Sequence, residues 1–222
     1  VVVSGRNQER GEAVVAEIRA VGGKADLIVT DLDGSAAASR TLAAEATEVL
    51  GGRIDVLVNN AGIFPGSTTA TTTESTFDEV YAVNVKAPFF LTAAIAPEMA
   101  ERGGGSIINL GSWIARLAVP VGSLYSSTKG AMETLTRAWA AEFGPAGVRV
   151  NAISPGVIST PAIHGDTHPS EAMMHGTPAG RSGTPDEVAH AAVYLASDEA
   201  AFVYGTVVDV DGGRVAVAVV AS

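Results

Sequence analysis

The chain has 222 residues, 47% hydrophobic and 17% charged, with a formal net charge of −10 and a pI near 4.8. That length suits a single domain with one sizeable core, and the acidic balance excludes nucleic acid or an anionic membrane surface as the main partner, since both call for clustered Lys and Arg. The sequence contains no cysteine, which excludes disulfides, thiolate zinc sites and thiol nucleophiles.

Elements are expected in strict alternation. Val1–Ser4 is a short apolar strand. Glu9–Val21 carries apolar residues at helical spacing and stops at Gly22–Gly23. "ADLIV" (25–29) is a second strand, and Ala36–Leu50 an Ala-rich helix closed by Gly51–Gly52. "IDVLVN" (54–59), "SIINL" (106–110) and "VRVNAI" (148–153) are apolar enough to be strands buried on both faces. Two long helices, Glu74–Glu101 and Ser123–Phe143, lie between them. Pro185–Ala196 is a further helix and "TVVDV" (206–210) a further strand. Continuous apolar strands alternating with helices give an α/β fold, a doubly wound, Rossmann-like parallel sheet in one domain over 1–222. No apolar run approaches the roughly 20 residues needed to span a bilayer, and no signal-peptide pattern opens the chain. A cytoplasmic protein without membrane contact is therefore expected.

"HGDTHPSEAMMHGTPAGRSG" (164–183) is the one long stretch without periodicity. A loop of that length is usually functional, and 161–183 reads as a substrate lid. His164, His168 and His175 fall in it, at a spacing that supports no metal site. Met173 and Met174 suit an anchor of the lid to the core.

Several short motifs carry possible chemistry. "NNAG" (59–62) follows a buried strand, at the carboxyl end where open parallel sheets bind ligands. Ser112, in "NLGS", sits at another carboxyl end, where a hydroxyl can donate to a carbonyl. Tyr125 and Lys129 are four apart on a predicted helix and point from one face. A fixed ammonium near a phenol favours phenolate and lowers its pKa, so the pair suits acid–base work. Asn84 lies inside a predicted helix, where Asn is unfavourable. A local kink with a freed carbonyl would account for it, and so would a buried hydrogen bond to a neighbouring loop. Trp113 either lines a pocket or packs beneath the sheet. Asp209 and Asp211 read as strand-end and turn residues.

"NNAG", "NLGS", Tyr125-x-x-x-Lys129, "RVNAISPGVISTP" and "VDVDGG" stand here in one order and spacing. Together they resemble the short-chain dehydrogenases/reductases, close to the 3-oxoacyl-carrier-protein-reductase-like group, from Val1 to about Gly213. The resemblance implies a catalytic tetrad of Asn84, Ser112, Tyr125 and Lys129, and hydride transfer between a nicotinamide and a secondary alcohol or ketone. Tyr125 would pass the proton and Ser112 would polarise the carbonyl. Lys129 would hold the nicotinamide ribose and depress the Tyr125 pKa, and Asn84 would hold a water in a proton relay. Cofactor contacts are implied for Asn59, Ala61, Gly62, Tyr125, Lys129, Pro155, Gly156, Ile158 and Thr160, and for Asp31 with Leu32 at the adenine. Where NAD-preferring members close the first strand here with an Asp, this chain has "SGRN"; Arg6 follows and can clamp a 2′-phosphate. NADP(H) is therefore expected over NAD(H). The implied partners are a small ketone or alcohol and further copies of the chain, as a homotetramer or homodimer through the two long helices.

The family also places a strand, a Gly-rich "TGxxxGxG" turn and a helix ahead of the segment that begins at Val1, with that strand between Val1–Ser4 and Ile54–Asn59. No such glycine pattern occurs in this sequence. Losing about six buried apolar residues at ~1.5–3 kcal/mol each removes on the order of 10 kcal/mol, comparable to the stability of a whole domain. The expectation is that these residues are a piece of a longer, ordinary reductase. Alternatively the apolar tail 214–222 fills the gap, or the protein is a catalytically impaired homologue that serves as a binding or assembly partner.

Overall fold

In the computed structural model, which describes residues 1–120, 122–160 and 171–218, parallel strands alternate with helices. The strands are β1 (Val2–Gly5), β2 (Asp26–Val29), β3 (Val56–Asn59), β4 (Gly105–Leu110), β5 (Val148–Pro155) and β6 (Val207–Val210). The helices are α1 (Gln8–Ala20), α2 (Ala36–Val49), α3 (Glu74–Tyr81), α4 (Ala87–Glu101), α5 (Ser123–Phe143) and α6 (Pro185–Ala196). Local chemistry sets several helix starts. Asn7, Ser35 and Thr73 each cap a first turn with a side-chain oxygen, and Thr184 with Glu187 forms a reciprocal capping box on α6.

The expected α/β architecture holds. β3-β4-β5-β6 form one parallel sheet in that order, with β6 at its edge, and β1 pairs with β2 in a second. The core lies on β4 and β5, where Ile107, Ile108, Val148, Val150 and Ile153 are fully buried. On one face Ala43 and Ala46 of α2, Ile95 and Met99 of α4 and Met132 and Trp139 of α5 cover these strands. On the other, Leu195 of α6 packs against Ile108 and Ile153. Arg149, itself buried, donates to the carbonyls of Leu195, Ala196, Ser197 and Ala200, so β5 caps the C-terminus of α6 with a cation.

Among the described residues β1 and β3 share no ladder. They face one another across an apolar cleft of about 790 Å³ lined by Val1, Val3, Leu42, Val56, Val58 and Leu91, among others. This corrects the expectation that the strand within 54–59 is buried on both faces: Val56 and Val58 are 39% and 45% exposed, because their side of the sheet borders the cleft. The described part of the tail does not enter it. Asp211 folds that segment back by accepting from Gly213 N and Val215 N, both at 2.8 Å, and Val215 packs near Trp113 and Met174. Residues 219–222 of the tail, and 161–170 of the lid with His164 and His168, lie outside the described residues.

Glu74–Glu101 is continuous but not uniform. A five-residue π turn, Ala82–Lys86, separates α3 from α4, with Ala87 N–H bonded to Ala82 O. By length and composition this stretch could cross a membrane, against the expectation that no run qualifies; here its Leu91, Ile95, Ala96 and Met99 are buried in the core.

The carboxyl ends of β3 and β4 are locked by buried amides. Asn59 Nδ2 donates to Asn109 Oδ1 at 2.9 Å, and Asn109 Nδ2 donates to Thr136 Oγ1 of α5 at 2.8 Å. Asn109 and Thr136 are fully buried, so Asn109→Ala leaves polar atoms unpaired in the interior. The expected loss is about 1–3 kcal/mol of stability, seen as a lower urea midpoint at an unchanged m-value.

Candidate active site

Ser112 leaves β4 in extended conformation, φ −170° and ψ 147°. Its position is fixed on both sides. Gly111 N donates to Ile153 O at 2.7 Å, and Ser126 Oγ in the first turn of α5 donates to Ile114 O at 2.6 Å. The first turn of α5 is thereby docked on the Ser112 segment, and it carries Tyr125. The Ser112 side chain lies against the Tyr125 phenol and acts on its pKa. One turn further, Lys129 Nζ donates to Leu110 O at 2.7 Å and lies 5.5 Å from the Tyr125 ring centroid.

Asn84 sits in the π turn and is almost fully buried. Its Oδ1 accepts from Ile63 N at 2.9 Å, its Nδ2 donates to Ile63 O at 3.0 Å, and the same Nδ2 reaches Thr128 Oγ1 at 3.2 Å. Both accounts of this residue contribute: the helix is irregular there, and the amide pins the loop after β3. The four tetrad candidates thus converge at the carboxyl ends of β3 and β4.

The electrostatics correct one expectation. Burial raises the Tyr125 pKa above its ordinary value, and the Ser112 hydroxyl only opposes that rise. Lys129 Nζ is bonded to Leu110 O and sits 5.5 Å from the ring centroid, and burial outweighs any lowering of the phenol. Burial also lowers the Lys129 pKa to about 8. A phenol held protonated suits an acid that delivers a proton to a carbonyl oxygen.

The cofactor candidates divide into two groups. Arg6, directly after β1, and Asp31, after β2, are exposed, and Leu32 is half-buried beside them. Parallel pairing of Gly5 with Val29 puts these segments at one sheet edge. At the other end, Pro155 and Gly156 close β5. Ile158 and Thr160 belong to a strap held by an Ile158–Gly183 bridge and by Ser159 N to Gly183 O at 2.9 Å. Between the two groups, Ala61 and Gly62 are exposed. A Cβ at Gly62 would lie 3.6 Å from both Asn84 Oδ1 and Lys129 Nζ. The bare glycine therefore leaves a polar cradle open along the strand ends, and the residues present fit an extended dinucleotide. The Asn59 side chain is the exception, since it turns inward to Asn109 and Thr92.

Sequence reading missed an ionic clamp behind the site. Arg116, just past Ser112, pairs with Asp209 of β6, donates to Ser154 Oγ at 2.9 Å and lies 3.6 Å from Glu133 Oε1. Asp209 is thus more than a strand end. Glu133 follows Lys129 by one helical turn, and that spacing was the one available signal; Arg116 had none. His175 joins no metal-holding group among the described residues. Met174 is buried against Trp113 and Val157, whereas Met173 is exposed, so only one of the pair is anchored to the core.

The family model described as enoyl-(acyl carrier protein) reductase matches residues 1–214. The chain belongs to the short-chain dehydrogenases/reductases. It is 36% identical to the cyclopentanol dehydrogenase of Comamonas testosteroni over 97% of this chain and 87% of that protein. It is 35% identical to the 3-oxoacyl-(acyl-carrier-protein) reductase of Thermotoga maritima, with shares of 97% and 87%. The structure of a gluconate 5-dehydrogenase from Burkholderia cenocepacia J2315, in complex with NADP and tartrate, superposes with a TM-score of 0.89 at 34% identity, over 98% of this chain and 86% of that one. As a short-chain dehydrogenase/reductase the chain is an oxidoreductase of the class that acts on CH–OH groups.

Proposed function

We propose that this short-chain dehydrogenase/reductase is an NADP(H)-dependent oxidoreductase that interconverts a secondary alcohol and a ketone. The observation that carries the reading is the half-buried Tyr125 phenol, its pKa raised by burial, facing Ser112 at the end of β4. The nicotinamide, when bound, supplies or accepts the hydride. Tyr125 gives its proton to the substrate oxygen in reduction and takes it back in oxidation. Ser112 donates a hydrogen bond to that oxygen and aligns it. Lys129 brings positive charge beneath the phenol and contacts the ribose, and Asn84 holds the Ile63 backbone and a relay water. Asp31 and Leu32 meet the adenine, while Ala61, Gly62, Pro155, Gly156, Ile158 and Thr160 line the remaining length of the cofactor.

The preference for NADP(H) rests on Arg6, exposed where β1 ends, and on the absence of an acid from "SGRN". The NADP complex of the related gluconate dehydrogenase supports it. NADPH is expected to bind more tightly than NADH, and Arg6→Ala to weaken NADPH by about 10–100-fold, the worth of charge-assisted bonds to a phosphate, with little change for NADH. Titration calorimetry with both cofactors checks this, and equal affinities in the wild type refute it. NADPH oxidation with a panel of ketones tests the activity itself. In this reading the enzyme works in the cytoplasm as a homodimer or homotetramer through α4 and α5, where Phe89 is 41% exposed. No observation favours the alternative of a homologue that binds without catalysing.

A further inference from the structure

Phe64 is an aromatic side chain that the machinery above does not use. It is 52% exposed, yet its ring centroid lies 4.7 Å from that of Tyr125 at an interplanar angle of 50°. Three independent features hold it there. Asn84 clamps both backbone polar groups of the preceding residue, Ile63. Gly122, at φ +104°, begins α5 without a side chain, and a Cβ at that position would lie 2.9 Å from Phe64 Cε2. Gly122 N also donates to Ser67 O at 3.1 Å, which docks the rest of the loop on α5. Tyr125 also packs against the buried cluster of Trp113, Ile114, Val157 and Met174, as do Leu117 and Val119.

We infer that Phe64 is a specificity-determining wall of the substrate pocket, and that the pocket takes a compact, uncharged alicyclic ketone or alcohol. This rests on the oxidoreductase reading of the same site. Among the described residues the exposed face of Phe64 has no apolar cover beyond Tyr125, so an apolar substrate would supply it, and the side chains packed on Tyr125 are hydrocarbon rather than donors for a polyol. The competing class is a ketone bearing a carboxylate, which Arg214 would recognise. Its Cζ lies 5.1 Å from the Trp113 ring centroid and its Nε is buried without a hydrogen-bond partner. Arg214 touches Trp113, whereas Phe64 touches the catalytic tyrosine itself, so the observations favour the uncharged class.

Steady-state kinetics with NADPH and either cyclohexanone or a 5-keto sugar acid separate the two, alongside calorimetric binding of NADPH to each variant. Phe64→Ala is expected to raise KM for cyclohexanone about tenfold while kcat and NADPH affinity stay within about threefold, the pattern of lost uniform binding. Phe64→Leu, which keeps an apolar wall, restores most of it. Preference for the keto acid, lost in Arg214→Ala, overturns the inference and leaves the oxidoreductase reading intact. So does a Phe64→Ala enzyme with unchanged KM for cyclohexanone. A wild type that binds NADPH and reduces neither ketone overturns the substrate class, and one that neither binds NADPH nor reduces any ketone overturns the function beneath it.

Discussion

Tyr125→Phe is expected to lower kcat for ketone reduction by about 10²–10⁴-fold, the range for removing a positioned general acid. The fold should hardly notice. Ser112 Oγ, which faces the hydroxyl, still accepts from Ile114 N, so the thermal midpoint and the affinity for NADPH should stay near wild type. The pH profile of the wild type follows from the same groups. Burial keeps the phenol protonated through and beyond neutrality, so reduction should hold level there. It should then fall on the alkaline side as Lys129 loses its charge near pH 8. Stopped-flow single turnovers of both proteins across pH 6–10 check this. A Tyr125→Phe enzyme with unaltered turnover removes the phenol from the reaction.

Lys129→Met is expected to do two opposite things. It should lower activity by about 10²-fold or more, as loss of a preorganised charge does, and it should stabilise the protein. Burial takes the Lys129 pKa from 10.5 to about 8. The folded state therefore releases this proton earlier than the unfolded chain, and wild-type stability gains from this group as pH rises from about 8 to about 10.5. Below that window the buried ammonium costs on the order of 3 kcal/mol, at about 1.4 kcal/mol per unit. Methionine removes that cost and forfeits the bond to Leu110 O, worth about 1 kcal/mol. The net gain at pH 7 is about 2 kcal/mol, and the alkaline rise in stability disappears with it. Urea melts at pH 7 and pH 10 read both effects; a variant less stable than wild type at pH 7 would show that the ammonium is better solvated than its burial indicates.

The parts of the fold that depend on local pattern were legible in the sequence. α5 begins at Ser123 and ends at Phe143 as read, because the glycines at 122 and 144 flank an unbroken helical pattern. β4 and β5 were legible for the same reason: continuous apolar runs between turn signals. Exposure of Val56 and Val58 was not, since the hydrophobicity of a strand says what it can bury and not which neighbours it has. At the site, the convergence of Ser112, Tyr125 and Lys129 was legible from motif order. The direction of the Tyr125 shift was not, because it turns on how much water the folded chain strips from the ring. Arg116 left no trace at all: its partner Asp209 is 93 residues away. Phe64 was equally silent, since its place over Tyr125 is set by a glycine at 122 and an amide at 84.

The π turn at Ala82–Lys86 gives Glu74–Glu101 one residue more than a regular α-helix would spend on the same rise. At 3.6 residues per turn, each residue advances the helix by about 100°, so α3 and α4 are rotated out of phase with one another. That offset lets Leu91, Ile95 and Met99 look into the sheet while Asn84, about two turns before Leu91, looks toward the loop after β3. The alignment of the Asn84 amide with its loop is therefore a matter of residue count as well as residue identity. Excising Val83 would swing Asn84 off Ile63 while leaving Asn84 itself in the sequence.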